Sequence, residues 1–492
     1  MSTTTIETPL GPFELPSGAL IVGDQRVDRT ASGRHAQIDP STGTVLAEVT
    51  LASVAEVDDA VAAANAAEAG WRGLKPTQRR DIILNFASLL DDHHEELSIL
   101  RSLELGAPKK VGKGLNMAVE YMRYFAGWAD KIQGDTIPVD GQAMNYTVPE
   151  PYGTIAALTP WNGGVVSAAM KVIPALVAGN CVVLKPSELA ALAPLRFGEL
   201  GLEAGLPPGV LSVIPGGVDA GEALVSHKGV AKISFTGGTQ TARRVAASAA
   251  ANLTPVILEL GGKSANVVFS DADLALAVQT TVFVTLAGMS GQGCVLPTRL
   301  LVHDAVYDEV VERVTAMASK LKVGRPFDAG VQAGPVITED ACQRILRFIE
   351  DARSRGDGTL CTGGNRLDGE LASGFFIQPT VFADVDIASP LAQEEVFGPV
   401  LSIIRFSDED DAVQKANDSD FGLGGIVFTG DVGRAHRVAG ALKVGSVGIN
   451  AFAPMPAGAP FGGVKQSGFG REGGLAGVME FVQIKNVYVG LG

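Results

Sequence analysis

The chain is poor in cysteine, in aromatic residues and in positive charge. Its 492 residues include four cysteines, Cys181, Cys294, Cys342 and Cys361, none in a Cys-x-x-Cys or otherwise paired spacing. That scatter argues against a disulfide framework and a structural zinc site, and it suits a reducing compartment. Lys and Arg total 39 against 54 Asp and Glu, a formal net charge of −15. A surface of that sign repels nucleic acid and anionic membranes, so neither is expected as a partner. The first residues show no basic segment leading into an apolar core, so no signal peptide is expected and the cytoplasm is the expected location. The uncharged stretch 274–298 raises the question of a membrane span. Gln279, Ser290, Gln292 and several threonines and glycines interrupt it, which fits a buried helix running into a loop. None of the six histidines falls in a motif, so no Ser-His-Asp arrangement competes and no metal is expected.

What is present describes a packed globular protein. Hydrophobic residues make up 46 % and charged residues 19 %, and 60 glycines imply many tight turns. The length implies about two to three domains. Residues 19–22 and 45–49 read as strands, the second after a turn at 39–43, so a hairpin is expected. Ser53 reads as the N-cap of a helix over 54–68; further helical segments cover 76–105 and 110–129, parted by Gly106 and Pro108. Residues 134–149 suggest an extended arm, matched by a strand-like tail at 481–489. From Tyr152 onward strands (153–158, 181–184, 210–214, 232–235) alternate with helices (165–177, 192–204, 220–226, 240–251). That is the pattern of βαβ units on a parallel sheet. Ligands of such sheets bind at the carboxyl ends of the strands, where Asn162, Lys185, Gly217 and Gly237 fall. The alternation resumes at 265–269, with a helix from Asp271, a strand at 299–302 and a helix at 307–321. It runs to about residue 440, so a second α/β unit is expected, pressed against the first across a cleft.

Two motifs organise the chain. Leu258-Glu259-Leu260-Gly261-Gly262-Lys263-Ser264 puts a lone carboxylate at the end of an apolar run. Further on, Gly291-Gln292-Gly293-Cys294 puts a thiol on a Gly-flanked turn that backbone and ligand can approach closely. Glu394-Glu395-Val396-Phe397-Gly398-Pro399 follows, and then Pro460-Phe461-Gly462-Gly463-Val464-Lys465-Gln466-Ser467-Gly468-Phe469-Gly470-Arg471-Glu472. In this order, the set resembles the NAD(P)-dependent aldehyde dehydrogenase superfamily. The resemblance implies an α/β fold of two Rossmann-like open-sheet domains with a β-strand oligomerisation arm. Residues 1–132 and 152–262 would form the NAD-binding domain, 263–477 the catalytic domain, and 133–151 with 478–492 the arm. A homotetramer or homodimer is expected with it.

Cys294 is the candidate nucleophile: a thiolate adds to an aldehyde carbonyl, and the thiohemiacetal gives up hydride to become a thioester. Glu259, in an apolar strand-end setting that raises a carboxyl pKa, is the candidate base for the water that hydrolyses it. By resemblance Asn162, in Thr159-Pro160-Trp161-Asn162, shares the oxyanion with the Cys294 backbone N–H, and Lys171 supports the same site. For the cofactor, NAD, the resemblance points to Thr159, Trp161, Lys185, Ser187, Glu188, Gly217, Gly221, Phe235, Thr236, Gly237, Gly238, Leu260, Gly261, Glu395 and Phe397. Lys185 and Glu188 would bond the adenine-ribose hydroxyls. A carboxylate there repels a 2′-phosphate, so NAD is favoured over NADP, a preference that Ser187 softens. Phe235-Thr236-Gly237-Gly238-Thr239 follows a strand and opens a helix, a seat for pyrophosphate. Glu395 would hold the nicotinamide ribose and Phe397 would lie against the nicotinamide.

There are departures from the family pattern. Met289 stands where many members have Asn, Arg325 interrupts a Gly-Asp-Pro turn, and Ala242 replaces a glycine. Gly163 and Gly164 follow Asn162 where a large residue and Pro are common. Those glycines, Gly293 beside the thiol, Met170, and an apolar loop at 451–459 without Arg or Lys suggest a roomy pocket. The reading is NAD-dependent oxidation of a small-molecule aldehyde, hydrophobic or aromatic, to its acid. Three alternatives stay open. A semialdehyde substrate is one. Acyl transfer to coenzyme A is another, disfavoured because members that do so generally lack Glu259. A cofactor-independent thiol esterase is the third, and it leaves the cofactor motifs unexplained.

Overall fold

The computed structural model describes residues 4–109, 114–452 and 455–491. Its centre is the strand Thr154–Thr159, buried at every position like its neighbour Cys181–Pro186. Near-continuous apolar strands of this kind belong in a parallel sheet covered on both faces. The helix between them, Gly164–Val177, is buried from Ala168 to its end, as a helix apolar on all sides must be. Across the first sheet the order is Gln25–Val27, Leu20–Val22, Leu211–Val213, Cys181–Pro186, Thr154–Thr159, Lys232–Thr236, Val256–Glu259, Gly468–Phe469. The five strands from Leu211–Val213 to Val256–Glu259 are parallel. From Thr154–Thr159 the chain steps to one side through Cys181–Pro186, then returns on the other as Lys232–Thr236. The loops after Thr159 and Thr236 therefore diverge, which opens a crevice at the strand ends.

The second sheet runs Thr359–Thr362, Thr380–Ala383, Val400–Phe406, Arg299–His303, Ala265–Val268, Gly424–Phe428, Ser446–Ile449. It is parallel except for the first pairing. Only residues 260–264 separate the last parallel strand of one sheet from the middle of the other. The Glu259 motif therefore lies on the seam. A buried Arg299 fixes it there, donating to the carbonyls of Lys263 (2.8 Å), Ala416 (2.8 Å), Asp418 (3.0 Å) and Lys415 (3.1 Å). Gly468–Phe469 crosses back to pair with Val256–Glu259. The expected extended segment is the strand Ala143–Pro151, paired antiparallel with Val482–Gly490 and flanked by Thr136–Ile137.

Some elements differ from expectation. The helix expected over 76–105 is two, Pro76–Asp92 and His94–Leu105. His93, at φ −93° and ψ 19°, leaves the helical path, and its ring nitrogen meets Glu96 Oε2 at 2.6 Å in the next helix. The following segment is described as the helix Gly114–Ala126; residues 110–113 lie outside the described residues. The helix after Ser53 continues to Gly73, helped by a Ser53–Glu56 capping box. The run Leu274–Gly291 is apolar and long enough to cross a membrane, but half of it is buried inside the fold. It is an α-helix over Leu274–Thr281, a wider π-turn over Val282–Ala287, and then a sharp reversal. The second unit also runs past residue 440, ending with Ser446–Ile449.

Candidate active site

That reversal positions the thiol. Met289, Ser290 and Gly291 all take left-handed backbone conformations, at φ 51°, 54° and 74°. For non-glycine residues each costs about 1–3 kcal/mol and persists only where surroundings enforce it. The enforcement is visible. Ser290 Oγ donates to the Gly334 carbonyl at 2.8 Å, and Gln292 Nε2 donates to that of Met289 at 3.0 Å. Gln292 Oε1 accepts from Ile337 N at 2.9 Å, and its carbonyl accepts from Asn162 Nδ2 at 2.9 Å. At Gly291 a Cβ would stand 2.0 Å from the Gly398 carbonyl oxygen, so the loop closes only on glycine. Gln292 thus ties three segments together two residues before Cys294. The sequence reading gave it no role; its place beside the cysteine was the available signal. Asn162 commits one amide hydrogen to Gln292 and has a second to offer.

Glu259 is buried, and neither carboxylate oxygen reaches a hydrogen-bond partner in good geometry. Burial, reinforced by the Glu472 carboxylate, pushes it up to about 9; Lys171, Arg471 and, least, the Gly463 N–H oppose the shift. Lys171 lines neither of the cavities described next. It is buried beneath them, donating to Ser234 Oγ at 2.9 Å and to Glu472 Oε1 at 2.5 Å. Glu472 therefore belongs to the site although the sequence reading left it as part of a glycine-rich motif. Cys294 is half-buried; burial and the carboxylates of Glu395 and Glu259 push its thiol up to about 12. Both shifts run toward the neutral form, the thiol for Cys294 and the carboxylic acid for Glu259.

A cleft of about 510 Å³ opens at the strand ends, and every residue expected to bind a cofactor lines it. The strand ends supply Thr159 and Trp161, Lys185, Ser187 and Glu188, and Phe235 to Gly238. The seam supplies Leu260 and Gly261, and the second unit Glu395 and Phe397. The donor set fits a dinucleotide. Helices Val218–Ser226 and Thr239–Ala250 begin after Gly217 and Gly238 without side-chain caps, and a Cβ at either glycine would meet nothing within 4 Å. Open helix N-termini of this kind receive anions. Thr159 Oγ1, buried and without a partner, is a further unfilled group. Glu395 accepts from Gly262 N at 3.0 Å, and burial raises its pKa against that N–H, Lys263 and Arg344. Arg344, another residue missed from sequence, donates to the Val396 carbonyl at 2.7 Å and so holds this loop. Phe397, at φ 52°, meets Trp161 edge to face with centroids 5.7 Å apart.

A second cavity of about 370 Å³ adjoins the first, and Cys294, Glu259 and Asn162 line both. Met117, Val166, Met170, Phe452, Met455 and Phe461 give it apolar walls. The room beside Asn162 comes from Gly164, where a Cβ would meet nothing within 4 Å. At Gly163 a Cβ would stand 1.7 Å from Ser167 Oγ. In the loop 451–459 residues 453 and 454 lie outside the described residues. That loop has no cation, but Arg101 and Lys109 line the cavity from other segments, Lys109 paired with Glu95. Reading the loop alone missed them.

The profile of the Aldehyde dehydrogenase family matches residues 27–487. A betaine aldehyde dehydrogenase of Cereibacter sphaeroides is 40% identical over 457 residues, 92% of this chain and 93% of that one. A mitochondrial benzaldehyde dehydrogenase of Antirrhinum majus is 40% identical over 497 residues, 100% of this chain and 92% of that one. Among solved structures, the NAD+ complex of an aldehyde dehydrogenase from Bacillus cereus superposes with a TM-score of 0.94 at 35% identity, covering 96% of each chain.

Proposed function

The chain belongs to the aldehyde dehydrogenase family, and from that premise we propose that it oxidises a hydrophobic or aromatic aldehyde to the carboxylic acid with NAD. The observation that carries this is the meeting of the two cavities: Cys294 and Glu259 line both the dinucleotide-shaped cleft and the apolar funnel. Bound NAD supplies the hydride acceptor. Cys294 gives up its proton to solvent and Sγ adds to the aldehyde carbon, and the free Asn162 amide hydrogen and the Cys294 N–H stabilise the oxyanion. Loss of hydride converts the adduct to a thioester. Glu259 takes a proton from the water that attacks it, and the acid leaves with the thiol restored. Lys171 and Glu472 set the charge around Glu259 from below. NADP is the weaker substrate because Glu188 sits at the adenosine end. The exposed Ile484 and Tyr488 of the paired arm support its role as a strand-adding interface in a homotetramer or homodimer. The free cysteines suit a cytoplasmic enzyme.

Arg101 and Lys109, which line the second cavity with Lys109 paired to Glu95, favour a second reading, an aldehyde with a remote carboxylate. The test is NADH formation, followed by absorbance, across aromatic, long-chain, quaternary-ammonium and carboxylated aldehydes, beside Cys294→Ala. Turnover of aromatic or long-chain aldehydes that vanishes in the variant is expected. A strong preference for carboxylated aldehydes would favour the second reading. Activity surviving the loss of Cys294 would remove the mechanism.

A further inference from the structure

Beyond the two uncapped helix N-termini the cofactor cleft continues as a slot between helices Val218–Ser226 and Thr239–Ala250. Val225 and Val245 form a buried apolar base. Val218 stands at the rim and is 76 % exposed, an aliphatic side chain facing the cleft with nothing over it. Ser248 Oγ donates to Glu222 Oε1 at 3.1 Å and ties the two helices together at this slot. A flat aromatic base fits such a place, so, on the dinucleotide reading above, this is where the adenosine end lies.

The charges around it are unevenly used. Two carboxylates, Glu188 and Glu222, line this end of the cleft against two cations, Lys185 and Arg244. Lys185 is buried, which lowers its pKa, and it already sits in the field of Glu188, which opposes that shift. Arg244 differs. It is exposed, it lines the slot, and among the described residues it makes no ion pair or hydrogen bond, whereas its neighbour Arg243 donates to Gln466 Oε1 at 3.0 Å. A guanidinium is always charged and matches phosphate oxygens in pairs. The Glu188 carboxylate by itself would turn a 2′-phosphate away.

We propose that Arg244 is a specificity-determining residue for the adenosine end of the cofactor, offsetting Glu188 so that an adenosine bearing a 2′-phosphate is admitted. The inference rests on the dinucleotide reading and is tested without turnover. Calorimetry measures the binding of 5′-AMP and of adenosine 2′,5′-bisphosphate to the wild type, Arg244→Leu and Arg244→Lys. Leucine keeps an apolar cover and removes only the charge, and the position is exposed, so the fold is preserved. Arg244→Leu is expected to change 5′-AMP affinity by less than about two-fold and to weaken the bisphosphate about five-fold, the scale of one exposed ion pair. Arg244→Lys is expected to restore part of that, and added salt to shrink it. Equal weakening of both ligands, or of neither, overturns the proposal. A wild type that binds neither ligand takes down the dinucleotide reading itself.

Discussion

Replacing Glu259 by glutamine should stabilise the protein, increasingly so as pH rises. The carboxyl is pushed up to about 9 from an ordinary 4.5. A carboxyl whose folded pKa is raised binds more protons folded than unfolded throughout that interval. Its stabilising contribution is complete below about pH 4.5 and is lost steadily as pH climbs toward about 9. The slope is about 1.4 kcal/mol per pH unit, so from pH 5.5 to 7.5 the wild type should lose about 3 kcal/mol relative to a variant without the titration. Lys171, Arg471 and Glu472 readjust when the site changes, so a gap widening by about 1–3 kcal/mol is the working expectation. For a chain of this length that is a few degrees. Thermal scans of both proteins at one scan rate, from pH 5.5 to 8.5, measure it and allow for irreversible unfolding. A gap that stays constant or narrows would show that Glu259 ionises normally in the fold, and its assignment as a poised base would lose its physical ground.

Lys171→Met should cost about 3–5 kcal/mol, because it leaves the buried Glu472 carboxylate without its partner. A Lys171→Met, Glu472→Leu double variant should recover most of that in denaturant midpoints. Recovery of nothing would mean that the pair is not the reason for the loss. Met289→Gly should gain about 1 kcal/mol by relieving a left-handed backbone, with turnover within about two-fold of wild type. A loss in melting temperature would show that the Met289 side chain outweighs the strain. Gly291→Ala should lose at least about a hundred-fold in turnover, since its Cβ would stand 2.0 Å from the Gly398 oxygen and move the thiol. Unchanged kinetics would refute that positioning role.

The sequence shows the parallel strands and the strand-end residues of the cleft because both are written locally. Strands such as Thr154–Thr159 are short apolar runs ended by turns, and the residues at their carboxyl ends fall in one crevice as a matter of topology. What it hid depends on distant parts of the chain. Glu472 matters because Lys171, from another part of the chain, reaches it through the core, and no spacing in the glycine-rich motif announces a buried pair. Gln292 and Arg344 work by holding carbonyl or amide groups elsewhere in the chain. Their role is visible only as hydrogen bonds. Arg101 and Lys109 escaped because the funnel is shared by segments that no single loop represents. The break at His93 was missed because helical periodicity continues across it, while one residue leaves the helical backbone.

The state of the thiol follows from the same burial. Cys294 is pushed up to about 12 and Glu259 to about 9. Both shifts disfavour the thiolate in the resting site, and the charges that raise the thiol include the Glu259 carboxylate itself. Without ligand the thiol should alkylate slowly at pH 8. A positive charge brought to about 5 Å from the sulfur, at an effective dielectric near 20, is worth about 3 kcal/mol. That corresponds to about two pKa units, or roughly a hundred-fold more thiolate. The oxidised nicotinamide ring carries such a charge and the reduced ring does not, while their sizes are nearly equal. Comparing them therefore separates charge from obstruction. Iodoacetamide labelling of Cys294, read by peptide mass spectrometry, should be about ten- to a hundred-fold faster with NAD than with NADH at saturation. Equal protection by both would mean that access, and not the field around the sulfur, controls the nucleophile.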